Sequence, residues 1–421
     1  MEEIMMLNQQ TIAVIQSTVP VLKEYGTAIT GRFYERMFEA HPELLNLFNH
    51  ANQKQGRQRE ALANAVYAAA LHIDKLEQIL PAVRHIAQKH RSLGVKPEQY
   101  PIVGRHLLAA IKEVLGDAAT DEILEAWADA YGVIADVFIS VEQSMYEQAE
   151  SQPGGWEGFR PFVVDKKIVE SDVITSFYLL PQDGSDIALF EPGQYVSVKI
   201  DLEGNEHTHL RQYSLSDAPG KPYYRISVKR EGSLAGKPSG KVSGNLHDRV
   251  AEGDVLWLSA PAGEFKLETK GETPVMLLSG GVGLTPMVSM ANTLAERQPN
   301  RRAAFVHAAL NGNTHAMRDA MLQLQEKSPG LSVHYCYAEP TPEDRELERY
   351  DKEGVIDASW LKTLLPDPDA VVYLCGPVPF MKTMFAALQS IGVAESRIHY
   401  EFFGPAGSLA QEDLLAPAGS K

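Results

Sequence analysis

Over residues 8–149 apolar positions recur every three to four residues, with polar positions between them. This spacing predicts amphipathic helices at about 8–25, 27–40, 56–73, 81–93, 99–115 and 120–149, with a short turn over 42–48. Such stripes must be buried against one another, which implies an all-α module. Pro81 stands where a first helical turn tolerates proline, and Gly94 where a helix commonly ends. From Trp156 to about Leu267 the pattern shortens to β-rich runs at 159–169, 173–180, 194–200, 211–215, 223–229 and 254–260. Turn signals such as Gln182-Asp-Gly184 and Ala218-Pro-Gly220 separate them, as in a small antiparallel barrel. From Thr273 onward buried strands at 275–279, 304–309, 332–337 and 371–375 alternate with helices near 286–298, 315–327, 358–365 and 378–391. That alternation predicts a doubly wound α/β sheet.

Composition sharpens these boundaries. Residues 1–150 hold 5 of the 25 prolines and 7 of the 32 glycines, so a helix-rich front gives way to a turn-rich back. Ser151-Gln-Pro-Gly-Gly155 reads as the linker. The expected organisation is a helical domain at 1–150, a barrel at 156–268, an α/β domain at 272–405 and a loosely ordered tail at 406–421. A net charge of −16 argues against a nucleic-acid surface and against attraction to anionic membranes. Two cysteines, Cys336 and Cys375, cannot build a disulfide framework or a four-cysteine metal site. The N-terminus, Met-Glu-Glu-Ile-Met-Met, carries acid where a signal peptide needs base, and no apolar run approaches the ~18 residues of a membrane span. The expectation is a cytoplasmic protein, and with no obligate interface in the pattern, a monomer.

Candidate chemistry begins at His90, which falls on an apolar stripe with Val83, Ile86 and Ala87. A histidine facing a core is most often a satisfied core residue. Its company is unusual: Tyr34, Pro42, Phe48 and Gln58 precede it, and Tyr100 and Glu142 follow. On residue type alone Tyr34 is equally a helix tyrosine with a surface hydroxyl, and Glu142 a solvated helix residue. The ordered set resembles the globin pattern, and with Tyr100 and Glu142 it resembles the flavohaemoglobins. The resemblance implies that His90 ligates the iron of haem b. Phe48 would pack flat on the porphyrin, while Gln58 and Leu62, one turn apart, would face the open coordination site. Tyr34 would offer its phenol proton to iron-bound dioxygen. Tyr100 and Glu142 would form a relay behind His90 that raises its basicity, and Lys89 would tune redox potential.

The back of the chain carries matching signals. Arg211-Gln212-Tyr213-Ser214 resembles the Arg-x-Tyr-Ser motif of ferredoxin-reductase-type flavoproteins, where arginine binds the FAD pyrophosphate, tyrosine packs on the flavin and serine reaches the ring nitrogens. Pro192-Gly-Gln-Tyr195 upstream and Gly240-Lys-Val242-Ser243 downstream complete that pattern, with a glycine-rich stretch over 232–244 longer than the family norm. Gly280-Gly281-Val282-Gly283-Leu284-Thr285 follows a strand, and Pro286 opens a helix, which together make a phosphate cradle with Thr285 as N-cap. Tyr373-Leu-Cys375-Gly376-Pro377 resembles the nicotinamide-side motif of the same reductases, although Cys375 is equally an inert buried thiol. Tyr400-Glu401-Phe402-Phe403-Gly404-Pro405 resembles the segment closing over the flavin, with Phe403 on the ring and Glu401 affecting redox poise. The second sheet strand ends at Ala309-Leu-Asn-Gly-Asn313 with neither a ribose-binding acid nor a 2′-phosphate-binding arginine, so NADH and NADPH both stay open.

The resemblance covers about residues 6–405. It implies a nitric oxide dioxygenase in which NAD(P)H reduces FAD, FAD reduces the haem, and nitric oxide and dioxygen become nitrate. Two alternatives remain at this stage. One is an oxygen-binding or sensing globin with a fused haem reductase, and the other a haem-free helical module on a flavin reductase.

Overall fold

The computed structural model describes residues 7–48, 56–232 and 240–404. Its helical part comprises α1 (Gln9–Ser17), α2 (Val19–Ala40), a 3-10 turn (Pro42–Leu47), α3 (Arg57–Leu71), α4 (Leu80–Leu93), α5 (Tyr100–Leu115) and α6 (Asp121–Ser151). Capping follows the local chemistry. Asn8 and Thr120 accept the Thr11 and Ile123 amides at the starts of α1 and α6, and Asp121 and Glu122 occupy the positive end of α6. The α4 helix has proline in its first turn and ends on Gly94 at φ +80°, a left-handed position glycine adopts freely. Ile15, Phe33, Met37, Leu107, Ile111 and Trp127 are central to the helical core.

One boundary differs from the expected helix over 8–25. The break falls at Thr18, whose hydroxyl and amide both bond to Ile15 O, and Pro20 restarts the chain as α2. Gly26, where the sequence suggested a break, is buried inside α2. There it lies against Ala63 of α3, where a Cβ would stand at an ordinary contact distance of 3.5 Å.

The next segment contains β1 (Phe159–Val169), β2 (Ile174–Pro181), β3 (Tyr195–Ile200), β4 (His209–Ser214), β5 (Tyr224–Lys229), α7 (Lys241–Asp248) and β6 (Val255–Ser259). The strands form one sheet in the order β4-β3-β6-β1-β2-β5. An antiparallel bridge from Leu215 to Ile226, with the Ser216 amide on Arg225 O, joins the end of β4 to β5 and closes the barrel. Helix α7 was not foreseen.

The last segment runs β7 (Val275–Gly280), α8 (Leu284–Arg297), β8 (Ala303–Ala309), α9 (Arg318–Lys327), β9 (Leu331–Tyr337), α10 (Pro342–Glu346), β10 (Lys352–Glu353), α11 (Ala358–Leu364), β11 (Val371–Cys375), α12 (Val378–Ser390) and β12 (Ile398–Glu401). The sheet is parallel with order β10-β9-β8-β7-β11-β12. Alternate residues of β7 serve opposite cores. Val275 and Leu277 pack with Met287 and Leu294 of α8, and Met276 and Leu278 with Leu361 and Phe385 of α11 and α12. Helices on both faces bury the sheet, as its apolar strands require. The architecture is therefore the expected one: an all-α domain, an antiparallel β-barrel and a doubly wound α/β domain. In compactness the chain divides into residues through 160 with 197–211 and 258–264, and the remainder. No helix among the described residues is long and apolar enough to cross a membrane.

Candidate active site

Three helices converge at His90. It lies in the last turn of α4, Tyr100 opens α5 and Glu142 is in the middle of α6. The Nδ1 of His90 lies 2.7 Å from Glu142 Oε1 and 3.2 Å from the Tyr100 hydroxyl, which donates to the same carboxylate oxygen at 2.6 Å. Glu142 is 2 % exposed, and these two partners satisfy its buried Oε1. Burial, and then the charge of Glu142, push the Tyr100 phenol above its ordinary pKa, which keeps it a proton donor. The imidazole is thus oriented with Nδ1 toward the carboxylate and Nε2 making no hydrogen bond among the described residues. An imidazole with a carboxylate behind Nδ1 is the donor set that an axial haem ligand requires.

Residues the sequence did not single out complete this arrangement. Phe138 stacks at a tilt against both His90 and Tyr100, with centroids 5.9 and 6.3 Å away. The Tyr131 hydroxyl donates to Tyr100 O at 2.7 Å, and Tyr146 donates to Val95 O at 2.8 Å. Gly104 makes the first bond possible, because a Cβ there would stand 2.5 Å from the Tyr131 ring.

On α2, Tyr34 is buried and packs against Phe33, Phe38 and Phe48. Burial raises its phenol pKa, and a hydrogen bond with Gln58 partly offsets the rise. Gln58 and Leu62 share α3 one turn apart, and Leu62 and Phe48 are half-buried against the helical core. Lys89 precedes the histidine on α4, half-buried.

In the barrel, Tyr195 opens β3, and Arg211, Gln212, Tyr213 and Ser214 end β4. Val242 and Ser243 lie buried in the first turn of α7, where the Ser243 hydroxyl accepts the Glu231 amide and donates to Gly240 O. Of the long glycine-rich loop, 233–239 lie outside the described residues, as do Pro405 and the tail.

The parallel sheet brings its motifs together. Strands β7 and β11 are neighbours at which the order reverses, the place where open α/β sheets bind ligands beyond their carboxyl ends. Gly281, Val282 and Gly283 form a 3-10 turn after β7, and a Cβ on Gly283 would collide with the backbone of Cys375 and Gly376. The helix then begins at Leu284, two residues earlier than expected. Thr285 is accordingly not the N-cap. Its hydroxyl bonds back to Val282 O at 3.1 Å, and Pro286 is the third helical residue. The 3-10 turn has advanced the helix start. Cys375 is fully buried, with its thiol pKa pushed well up by burial and then by Glu401, which it faces in register across β11 and β12. Phe402 packs on Tyr400, Phe403 is 46 % exposed, and Gly404 ends the described chain. Phe380, not anticipated, covers Gly280 and Gly376.

An imidazole poised for iron on a helical module, a barrel and a nucleotide-type sheet define a haem-linked, flavin-type reductase. Comparison with known proteins agrees. A globin model matches residues 31–138, and an oxidoreductase NAD-binding domain model matches 277–385. A flavohaemoprotein of Bacillus cereus is 59 % identical over 404 residues, 96 % of this chain and all of the relative. The flavohaemoglobin structure of Malassezia yamatoensis, with bound FAD and haem, aligns with TM-score 0.81 at 28 % identity, covering 94 % of this chain and all of that one. The flavohaem-like FAD/NAD-binding domain of a Vibrio cholerae nitric oxide dioxygenase is 39 % identical, with TM-score 0.53 over 58 % of this chain and 99 % of that one. The chain belongs to the flavohaemoprotein family.

Proposed function

We propose that the protein is an NAD(P)H- and dioxygen-dependent nitric oxide dioxygenase that holds haem b, FAD and a nicotinamide. Its three modules would be residues 1–150, 156–268 and 272–405. Each turnover combines nitric oxide, dioxygen and one electron into nitrate, and one hydride from NAD(P)H serves two turnovers. When bound, haem supplies the iron that activates dioxygen, and FAD splits the hydride pair into single electrons.

The rest falls to side chains. His90 offers Nε2 to the iron, while Glu142 and Tyr100 hold its Nδ1 and raise its basicity. Tyr34, kept protonated by burial, and Gln58 present donors on the other side, with Phe48 and Leu62 excluding water. Lys89, beside the ligand, tunes potential. Tyr195, Arg211, Gln212, Tyr213, Ser214, Val242 and Ser243 hold the flavin and its pyrophosphate. The turn from Gly281 to Pro286 would cradle the nicotinamide nucleotide, and Cys375, Gly376 and Glu401 to Gly404 would line the hydride path. The open turn at Gly283 supports that cradle, since no larger residue fits there.

The observation that carries the reading is the His90–Glu142–Tyr100 relay, which suits oxygen activation rather than storage. Both cysteines being free thiols and the absence of a membrane-spanning helix among described residues support a cytoplasmic protein, and we take it to act as a monomer on small molecules. Tyr34→Phe tests the distal assignment. Nitric oxide consumption should fall about 10- to 100-fold, the loss of one hydrogen bond to a charged acceptor, with the haem spectrum retained. An unchanged rate would remove Tyr34 from the mechanism.

A further inference from the structure

One turn along α8 from Thr285, the helix is bonded to the barrel. Ser289 is fully buried, and its hydroxyl donates to Asp217 O at 2.7 Å. Asn292, on the same helix face, donates from Nδ2 to Asp217 Oδ1 at 3.2 Å. That oxygen also accepts the Ala218 amide at 2.8 Å, and Oδ2 accepts the Tyr223 hydroxyl at 2.9 Å. Arg225 of β5 lies 3.6 Å from Oδ2 and donates to Ser216 O, so the Asp217 loop is held from the barrel side as well. Asp217 stands three residues past Ser214, where β4 and the second flavin motif end. The first flavin motif reaches the same helix. Gly193 has φ +107°, and a Cβ there would collide with Phe265 O and with Met290 Cε. Beside it Pro192 O accepts the Leu267 amide at 2.9 Å. Helix α8 therefore opens at the nucleotide turn and, within about 12 Å at 1.5 Å per residue, touches the flanks of both flavin motifs. Packing on a methionine adapts to a shift, whereas directional hydrogen bonds to one aspartate hold a single register.

We propose that Ser289, Asn292 and Asp217 are positioning residues for hydride transfer. They lock the helix that begins at the nucleotide cradle to the loop that ends the flavin motif, so that nicotinamide and flavin meet at one separation and angle. The proposal rests on the functional reading above and concerns its flavin-reduction step alone. In that step the C4–H bond of the reduced nicotinamide breaks, and the hydrogen passes with the bonding electron pair to the flavin. The nicotinamide is oxidised and the flavin reduced by two electrons. The three residues act through the motifs they join. Such a transfer needs its atoms about 3–3.5 Å apart, and a displacement of about 1 Å costs up to about a hundredfold in rate.

The test uses the full-length holoprotein and the variants Ser289→Ala and Asn292→Ala. Anaerobic stopped-flow follows flavin bleaching against the concentration of whichever of NADH and NADPH reduces the parent faster. Hydrogen exchange over residues 215–223 reports the clamp without turnover, and FAD content reports folding. The expected result is a saturating bleaching rate about tenfold or more lower in both variants, with faster exchange over 215–223. The half-saturating nucleotide concentration and the FAD content should match the parent. A saturating rate equal to the parent's would overturn the positioning role. So would a fall matched by loss of FAD, or one removed by raising the nucleotide concentration. A parent flavin that neither nucleotide reduces would overturn the reading of the flavin and nucleotide sites, and this proposal with it. Slowed bleaching in the variants beside a parent that consumes no nitric oxide would support the clamp and overturn the dioxygenase reading.

Discussion

Glu142 sits where a carboxylate is expensive to keep, buried directly after the apolar run 137–141 of α6, and His90 Nδ1 and the Tyr100 hydroxyl both bond to it. Replacing it by glutamine removes the charge behind His90 while keeping the shape. The ferric state then loses stabilisation, so Glu142→Gln should move the haem midpoint potential upward and lower nitric oxide turnover about 10- to 100-fold. Spectroelectrochemistry of the purified variant measures the first and an electrode the second; parent values for both would show the relay to be inert. At this scale His90, Tyr34, Tyr100 and Glu142 were legible because their chemistry is carried by residue type and spacing on helices. Gly104, Tyr131, Phe138 and Phe380 were not. They are ordinary core residues in the one-dimensional pattern, and their roles appear only where helices cross.

Elements with strong periodicity and proper caps, such as β1, β11 and α4, stand where the pattern put them. Elements whose ends depend on tertiary contact do not. The α1/α2 break moved to Thr18 because Gly26 is packed against α3 rather than terminating a helix. The four-residue β12 and the two-residue β10 exist only through their pairing partners, so no run of apolar residues announces them. The parallel sheet also carries an element-scale consequence.

His307 of β8 bonds to Ser279 of β7 at 2.9 Å, and its ring lies 4.7 Å from His315, which bonds to the Tyr337 hydroxyl at 2.8 Å. Burial pushes the His307 pKa down to about 3 and holds His315 well below its ordinary value, with Arg318 adding to the latter effect. Above about pH 6.5 both are neutral whether folded or unfolded, and the stability they allow is complete. As pH falls below that value, the unfolded chain takes up protons that the folded sheet refuses. Stability then declines by about 1.4 kcal/mol per histidine per pH unit until the folded pKa values are reached. Protection factors of the β8 and α9 amides, which remove the intrinsic slowing of exchange in acid, should therefore fall from pH 7 to 5, and less so in His315→Gln. Equal pH dependence in parent and variant would contradict this account.

At the scale of the whole molecule, three module types in one chain make electron delivery intramolecular, which replaces a bimolecular encounter by a fixed local concentration. The change of composition at residue 150 made this succession legible. What the sequence could not convey is how the proximal helix is held, because hydrogen bonds such as Ser92 to Ser197 join residues 105 apart and leave no local trace. The direct measurement is aerobic nitric oxide consumption at an electrode, with NADH and then NADPH, beside His90→Ala. The account predicts rapid consumption that requires both nucleotide and dioxygen and disappears in the variant. Nucleotide oxidation without nitric oxide loss in the parent, or consumption that survives in His90→Ala, would contradict it.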